Sequence, residues 1–428
     1  MSPVSEDNRV SSDLTQTSPR RMKVLYLTNG LTHYYNLVLN RLDQQPDMEV
    51  IVVVPGNVSG NIGEGVYQTE SGVTFKFYRL DEVSRFRAYT TFKGLARLLM
   101  RETPDAIITS EIHLLGFVLS LSLVLTTKIL RVKLILQSIP FRLPKYLDAK
   151  NRCTERSQAI GQLPWLMRLM IRGLGLERVL RMSYLLLRRY AFRRVNAHLN
   201  YVEDAIDIFG SYGVPKEKIF ITYNSPDTDA HIETEKLAET MPPALLHSSQ
   251  RLVHVGRLVE WKRVDLLLRA FARIRESFPA AELLVIGAGP LEDLLKEVAV
   301  TLKVDDSVRF VGGVYDSSLL ARYLRASNIY VLAGMGGLSI NDAMFHRLPI
   351  ICSVCDGTEK KLVRDGFNGR FFREGDEDDL VLKISELLAD PERCRQMGAH
   401  SREIIDKEIN IHTVIAGYRQ ALMYVVSH

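Results

Sequence analysis

Apolar residues along this chain fall into two alternating rhythms. From residue 22, a short aliphatic run at 23–27 meets a Thr-Asn-Gly turn ending at Gly30; apolar positions at helical spacing follow over 33–42, then a second run at 49–55. Strand, glycine turn, helix and strand make the unit of a parallel sheet with crossover helices. Runs at 73–78, 106–109 and 131–137 predict further strands, and 89–102 predicts an amphipathic helix. The stretch 114–130 is almost wholly apolar. At about 17 residues it sits at the short limit for a bilayer span, and the flanking strands make it a buried crossover helix.

The second half repeats the rhythm more cleanly. Strands are predicted at 252–255, 282–286, 308–311, 329–332 and 349–353, with helices at 264–278, 291–302, 317–326 and 340–345 between them. The fold class is therefore α/β, with two tandem Rossmann-like domains facing each other across a cleft. The pattern divides the chain into a tail at 1–21 without packed structure, a first domain at 22–230, a polar linker at 231–249 containing Pro242-Pro243, and a second domain at 250–410. A final helix at 411–428 is expected to pack back on the first domain.

At 428 residues the chain is long enough for more than one core. Its 46% hydrophobic and 25% charged residues are ordinary for a globular α/β protein. No apolar leader with a cleavage site opens the sequence, and four scattered cysteines form no disulfide framework, so a cytoplasmic location is expected. Cys352 and Cys355 form a C-x-x-C in a strand running into a loop, without a second pair for zinc, so no metal is expected.

Open α/β sheets bind ligands beyond the carboxyl ends of their strands, which makes the loops after strands informative. After 253–255 comes Gly256-Arg257-Leu258, with Lys262 further along the same loop. Glycine permits close backbone approach, and two cations suit a diphosphate; position at the cleft favours that reading over two solvated surface charges. A second loop carries Gly336, Gly337, Leu338 and Ser339 before Asp342. Its glycines offer backbone donors to phosphate, and Asp342 can accept from sugar hydroxyls. Gly287 and Gly289 lack the third glycine of a dinucleotide fingerprint and read as a tight turn bordering the site.

These loops, in this order, resemble retaining glycosyltransferase family 4 of the GT-B fold. The resemblance rests on VHVGRLVEWK at 253–262, LVIGAGP at 284–290, VRFVGGV at 308–314, Asp342-Ala343-Met344 with Leu348-Pro349-Ile350, and DGFNG at 365–369. It implies an N-terminal acceptor domain and a C-terminal donor domain. Arg257 and Lys262 would bind the donor diphosphate and stabilise the leaving group, the 311–314 loop ending at Val314 would border the base, and Asp342 would take the ribose hydroxyls. Gly30 resembles the glycine that lets the donor phosphate approach, and Tyr223-Asn224-Ser225-Pro226-Asp227 resembles the family's segment before the hinge.

The chain departs from the family in two places. Where the family carries two glutamates separated by seven residues, it has Gly334 and Asp342, and Gln137 and Ser138 stand where many relatives have a histidine. The resemblance implies transfer of a hexose-type sugar, with retention, from a UDP- or GDP-linked donor to a saccharide or lipid-linked acceptor, in cell-envelope or exopolysaccharide biosynthesis. It implies no cofactor beyond this co-substrate. A nucleotide-sugar-binding protein without catalysis and a sugar-nucleotide epimerase are the alternatives.

Arginines are concentrated at 165–194 among large apolar residues, and Arg168, Arg172, Arg188 and Arg189 are the expected contacts to an anionic membrane surface. A core helix with an arginine-bearing outer face is the competing reading. Arginine without interleaved lysine, no binding module and a net charge of only +5 argue against nucleic acid.

Overall fold

The computed structural model describes residues 20–56, 68–85, 89–139, 143–153, 176–246, 248–355 and 357–428. The first domain is built on β1 (Met22–Leu27), β2 (Met48–Pro55) and β3 (Lys76–Leu80), a side hairpin of β4 (Glu82–Arg85) and β5 (Tyr89–Phe92), and then β6 (Ala106–Ser110), β7 (Lys133–Ser138), β8 (Ala197–Asn200) and β9 (Ile219–Ile221). The second domain carries β10 (Arg251–Val255), β11 (Glu282–Ile286), β12 (Val308–Gly312), β13 (Ile329–Leu332), β14 (Ile350–Cys352) and β15 (Gly369–Phe371).

Both main sheets are parallel, ordered β3-β2-β1-β6-β7-β8-β9 and β12-β11-β10-β13-β14-β15. Buried on both faces, their central strands read as continuous apolar runs. Val50 to Val54 are each 2% exposed or less, as are Leu283 to Ile286. Each sheet therefore has a core on either side, and the crossover helices bury one apolar face apiece, as Val264–Ser277 does with Leu267, Leu268, Phe271 and Ile274.

Several expectations change. The expected helix at 89–102 begins only at Leu95: Tyr89–Phe92 pairs antiparallel with Glu82–Arg85, and Gly94, at φ +79, separates strand from helix. β-Branched and aromatic residues favour the strand there. The stretch 114–130 is not one buried helix but two, Glu111–Leu119 and Leu121–Leu130, bent by 91°. The first packs Leu114, Leu115 and Phe117 inward, whereas the second buries only Leu123 and Thr126.

The polar linker at 231–249 is helical in its first part. Helix Thr228–Thr240 is capped by the Asp227 side chain, which accepts from the Ala230 N–H at 3.2 Å, and it packs against helix Ser317–Arg325 of the second domain. Its exposure explains the absent apolar stripe. The last helix, Ile411–Ser427, buries Ile411, Val414, Ile415, Tyr418, Leu422 and Val425 in the core of the first domain with Val24, Leu39 and Val52. The tail at 1–19 lies outside the described residues.

Candidate functional site

Where a parallel sheet reverses its strand order, neighbouring loops leave in opposite directions and open a crevice beyond the strand ends. The first sheet reverses between β1 and β6, the second between β10 and β13. The loops after those four strands meet in one cavity of about 630 Å³. The first domain contributes Thr28, Asn29, Ser110 and Glu111, and the second contributes Arg257, Gly336, Gly337 and Leu338.

The loop after β10 is fixed by backbone contacts. Gly256 N–H donates to the Ile286 carbonyl at 2.9 Å and Leu258 N–H to that of Ala288 at 3.1 Å. A Cβ on Gly287, whose φ is +151°, would stand 1.8 Å from the Gly256 oxygen, and one on Gly289 would stand 2.4 Å from the Leu258 oxygen. The Gly287-Ala288-Gly289 turn is thus glycine-rich because it admits the neighbouring protein loop.

Arg257 projects from this braced loop into the cavity wall, its guanidinium 5.6 Å from the Trp261 ring centroid. That contact places the guanidinium over an aromatic face at the edge of the cavity. Lys262 takes a different position. It is 7% exposed and outside the cavity lining, and its ammonium donates to the Met335 and Gly336 carbonyls at 2.8 and 2.7 Å. The two cations expected side by side are divided in role: one lines the cavity, and the other holds the glycine loop from behind.

The same packing accounts for Gly334. Met335 N–H donates to the Trp261 carbonyl at 2.8 Å, and a Cβ on Gly334 would lie 2.2 Å from that oxygen. No side chain fits there while the two loops are joined in this way. A carboxylate missed by the sequence reading comes from another element: Glu359, fully buried, accepts from the Gly357 N–H at 3.0 Å, and its Oε1 is 2.8 Å from where a Gly336 Cβ would be. The only sequence signal is an acid two residues after Gly357, at the start of the short helix Glu359–Leu362 that follows β14.

Asp342 lies on helix Ser339–Phe345, outside the cavity lining, and its Oδ1 accepts from His231 Nε2 at 2.7 Å. Its neighbour Asn341 does line the cavity and donates to the Asn224 carbonyl at 3.2 Å. Adjacent residues thus tie this helix to the segment joining the domains. Ser339 Oγ is 2.7 Å from the Tyr330 hydroxyl. Val314 and Gly30, both expected at the donor, are partly buried and outside the cavity lining, and Gly30 N–H donates to Thr28 Oγ1 at 2.9 Å. Asp227 holds Arg41 of the first domain through contacts of 2.7 and 3.0 Å.

Gln137 anchors a polar floor. Its amide donates to the hydroxyls of Tyr201 and Tyr418, both at 2.6 Å, and accepts from Tyr35 at 2.7 Å. Burial pushes the Tyr418 hydroxyl up to about 12, so this member of the floor stays protonated and neutral. On the other side, burial pulls His254 down to about 4, leaving a neutral imidazole below Gly256 with Nδ1 against the Val331 carbonyl at 3.1 Å.

Two of the four expected membrane contacts have partners within the chain. Arg188 pairs with Glu111 and lies 5.6 Å from the Phe192 ring centroid. Arg189 donates to the Tyr212 carbonyl at 3.1 Å and lies over Tyr146. Both turn inward because their planar groups find aromatic faces and acceptors there. Arg168 and Arg172 lie outside the described residues.

Residues 242–404 match the family model described as glycosyl transferases group 1. An uncharacterized glycosyltransferase of Haemophilus influenzae is 28% identical over 177 residues, 41% of this chain and 49% of its own length. The N-acetyl-alpha-D-glucosaminyl L-malate synthase of Bacillus anthracis is 25% identical over 207 residues, 48% of this chain and 53% of that enzyme. The chain spans about half the length of these relatives. Among solved structures, Anabaena HepE in complex with UDP and glucose is 15% identical, with a TM-score of 0.64 over 94% of this chain and 100% of its own. A glycosyltransferase from Rickettsia africae reaches a TM-score of 0.65 at 11% identity, covering 95% of this chain and 99% of its own. At such identities the likeness is one of fold, GT-B.

Proposed function

We propose, for a chain whose residues 242–404 match the glycosyl transferases group 1 model and whose fold is GT-B, that it moves a hexose-type sugar from a UDP- or GDP-linked donor to a saccharide or lipid-linked acceptor with retention at the anomeric carbon. One observation carries the reading. Arg257 and the glycine loop Gly336-Gly337-Leu338 face Thr28 and Asn29 across a single cavity between the two domains.

As the bond from the anomeric carbon to the diphosphate oxygen breaks, negative charge grows on the departing nucleoside diphosphate. A preorganised guanidinium and backbone N–H groups at that point stabilise the charge without reorganising solvent. Lys262 contributes by fixing the loop that presents those groups. Asp342, outside the cavity lining with Oδ1 on His231, would act by holding the helix behind the glycine loop rather than by touching the donor. The acceptor hydroxyl would attack from the face the diphosphate leaves, passing its proton to the departing phosphate oxygen, and the floor of Gln137 and tyrosines suits an uncharged saccharide. Such a protein would act in cell-envelope or exopolysaccharide synthesis on the cytoplasmic side of the membrane.

A screen of sugar nucleotides with NMR of the product tests this. An inverted anomer, no transfer from any donor, or unchanged nucleotide affinity in Arg257→Ala would each refute it. The crowded Gly334 favours a second reading, a nucleotide-sugar-binding protein without turnover; calorimetric donor binding with no transfer to any acceptor would establish that instead. Product formed without acceptor would indicate an epimerase.

A further inference from the structure

Helix Leu121–Leu130 presents an apolar ridge to the outside of the first domain. Leu121, Leu125 and Ile129, spaced i, i+4 and i+8 on one face, are 72%, 50% and 71% exposed. Leu119, at the end of the preceding helix, is 46% exposed, and Met100 stands on helix Leu95–Glu102, which packs against the ridge helix through Leu95, Leu98, Leu99 and Leu123. Single exposed leucines are ordinary, but an ordered row of them marks a docking surface.

On the two helices that form this surface and their flanking residues, the exposed charges have one sign. Between 93 and 131, the exposed charged residues are Lys93, Arg97, Arg101, Lys128 and Arg131. The three acids there are engaged: Glu102 by Lys76, Asp105 by Arg20 and Glu111 by Arg188. The ridge itself carries no Tyr, Trp or Phe, the residues that dominate protein-binding hot spots. Aliphatic side chains with a basic surround suit an anionic lipid leaflet. Among the described residues no single helix is long and apolar enough to cross a membrane, and the 91° bend separates this helix from the buried one before it.

We propose that Leu121, Leu125 and Ile129 insert at the headgroup boundary of an anionic bilayer, with Lys128, Arg131 and the basic face of the neighbouring helix on its phosphates. The first domain then lies on the membrane through this ridge rather than through Arg188 and Arg189. The proposal concerns attachment alone and stands or falls separately from the transfer reading.

The test is flotation of the full chain with vesicles of phosphatidylglycerol and phosphatidylcholine, and with phosphatidylcholine alone. The wild type is expected to float with the anionic vesicles and to be released by salt. Leu121→Ser/Leu125→Ser/Ile129→Ser should lose on the order of tenfold or more in partitioning, and Lys128→Glu/Arg131→Glu should lose the preference for anionic lipid. Unchanged circular dichroism and melting temperature establish that these surface variants fold. No flotation of the wild type, or equal flotation of the triple variant, overturns the proposal. A wild-type dimer in light scattering that the triple variant dissociates, without vesicle binding, overturns it in favour of an interface between two copies.

Discussion

Asp342 Oδ1 lies 2.7 Å from Nε2 of His231, so the acid expected to contact the donor is held by the helix that joins the two domains. Burial pulls the His231 pKa down, but the Asp342 hydrogen bond and charge outweigh it, leaving the net value above the ordinary 6.5. Asp227 adds a favourable charge, and the His346 ring stacks with its centroid 6.4 Å away. A histidine with a raised folded-state pKa stabilises the protein fully below its unfolded value and loses that contribution as pH rises through the folded one. Unfolding free energy from denaturant titrations should therefore carry a component that declines above about pH 6.5. His231→Phe and Asp342→Asn should each remove it.

Other buried histidines act in the opposite sense. Burial lowers His254 and His198 to about 4 and His346 to about 3. The unfolded chain takes up protons at these sites before the native state does, so stability should fall as pH drops below about 6.5. His254→Leu should flatten part of that acid limb in the same titrations.

Arg257→Ala should weaken nucleoside diphosphate binding by roughly ten- to a hundredfold, the scale of a lost charge-assisted contact of about 1.5–3 kcal/mol. Arg257→Lys should recover only part, because an ammonium on a flexible stem does not reproduce the guanidinium's fork or its contact with the Trp261 ring. Calorimetry with UDP and GDP measures both, and full affinity in Arg257→Ala would remove this residue from the site.

Lys262→Met should reduce stability by about 1.5–3 kcal/mol, because the Met335 and Gly336 carbonyls lose a charged donor in a buried place. Gly334→Glu, which restores the acid the family usually has, should give no gain in activity. Its Cβ would meet the Trp261 oxygen, and separating the loops should cost about 1–3 kcal/mol. Chemical denaturation and a transfer assay report on both variants; a more active Gly334→Glu would contradict the packing account.

Gln137→Leu should destabilise by about 1–3 kcal/mol, since the Tyr201 and Tyr418 hydroxyls lose a shared partner in the floor of the cavity. An unaltered melting temperature would show that water replaces the amide without loss.

The sequence alone determined the alternation of strands and helices, most faithfully in the second domain, where 282–286 and 329–332 coincide with β11 and β13. Those strands are buried on both faces, so their composition suffices to declare them. It also placed Arg257 and the Gly336-Gly337 loop at the cleft, since loops after parallel strands converge there. Short strands such as Ala197–Asn200 and Gly369–Phe371 carry too few residues for a period and exist through their neighbours' hydrogen bonds. Only the tertiary structure decided that Lys262 braces a loop, that Gly334 has no room for a side chain, that Glu359 sits behind Gly336, and that Leu121, Leu125 and Ile129 face outward. Each depends on which atoms of distant segments occupy the same few ångströms. Hydrophobic periodicity says that a face is apolar; what stands opposite that face is set by packing.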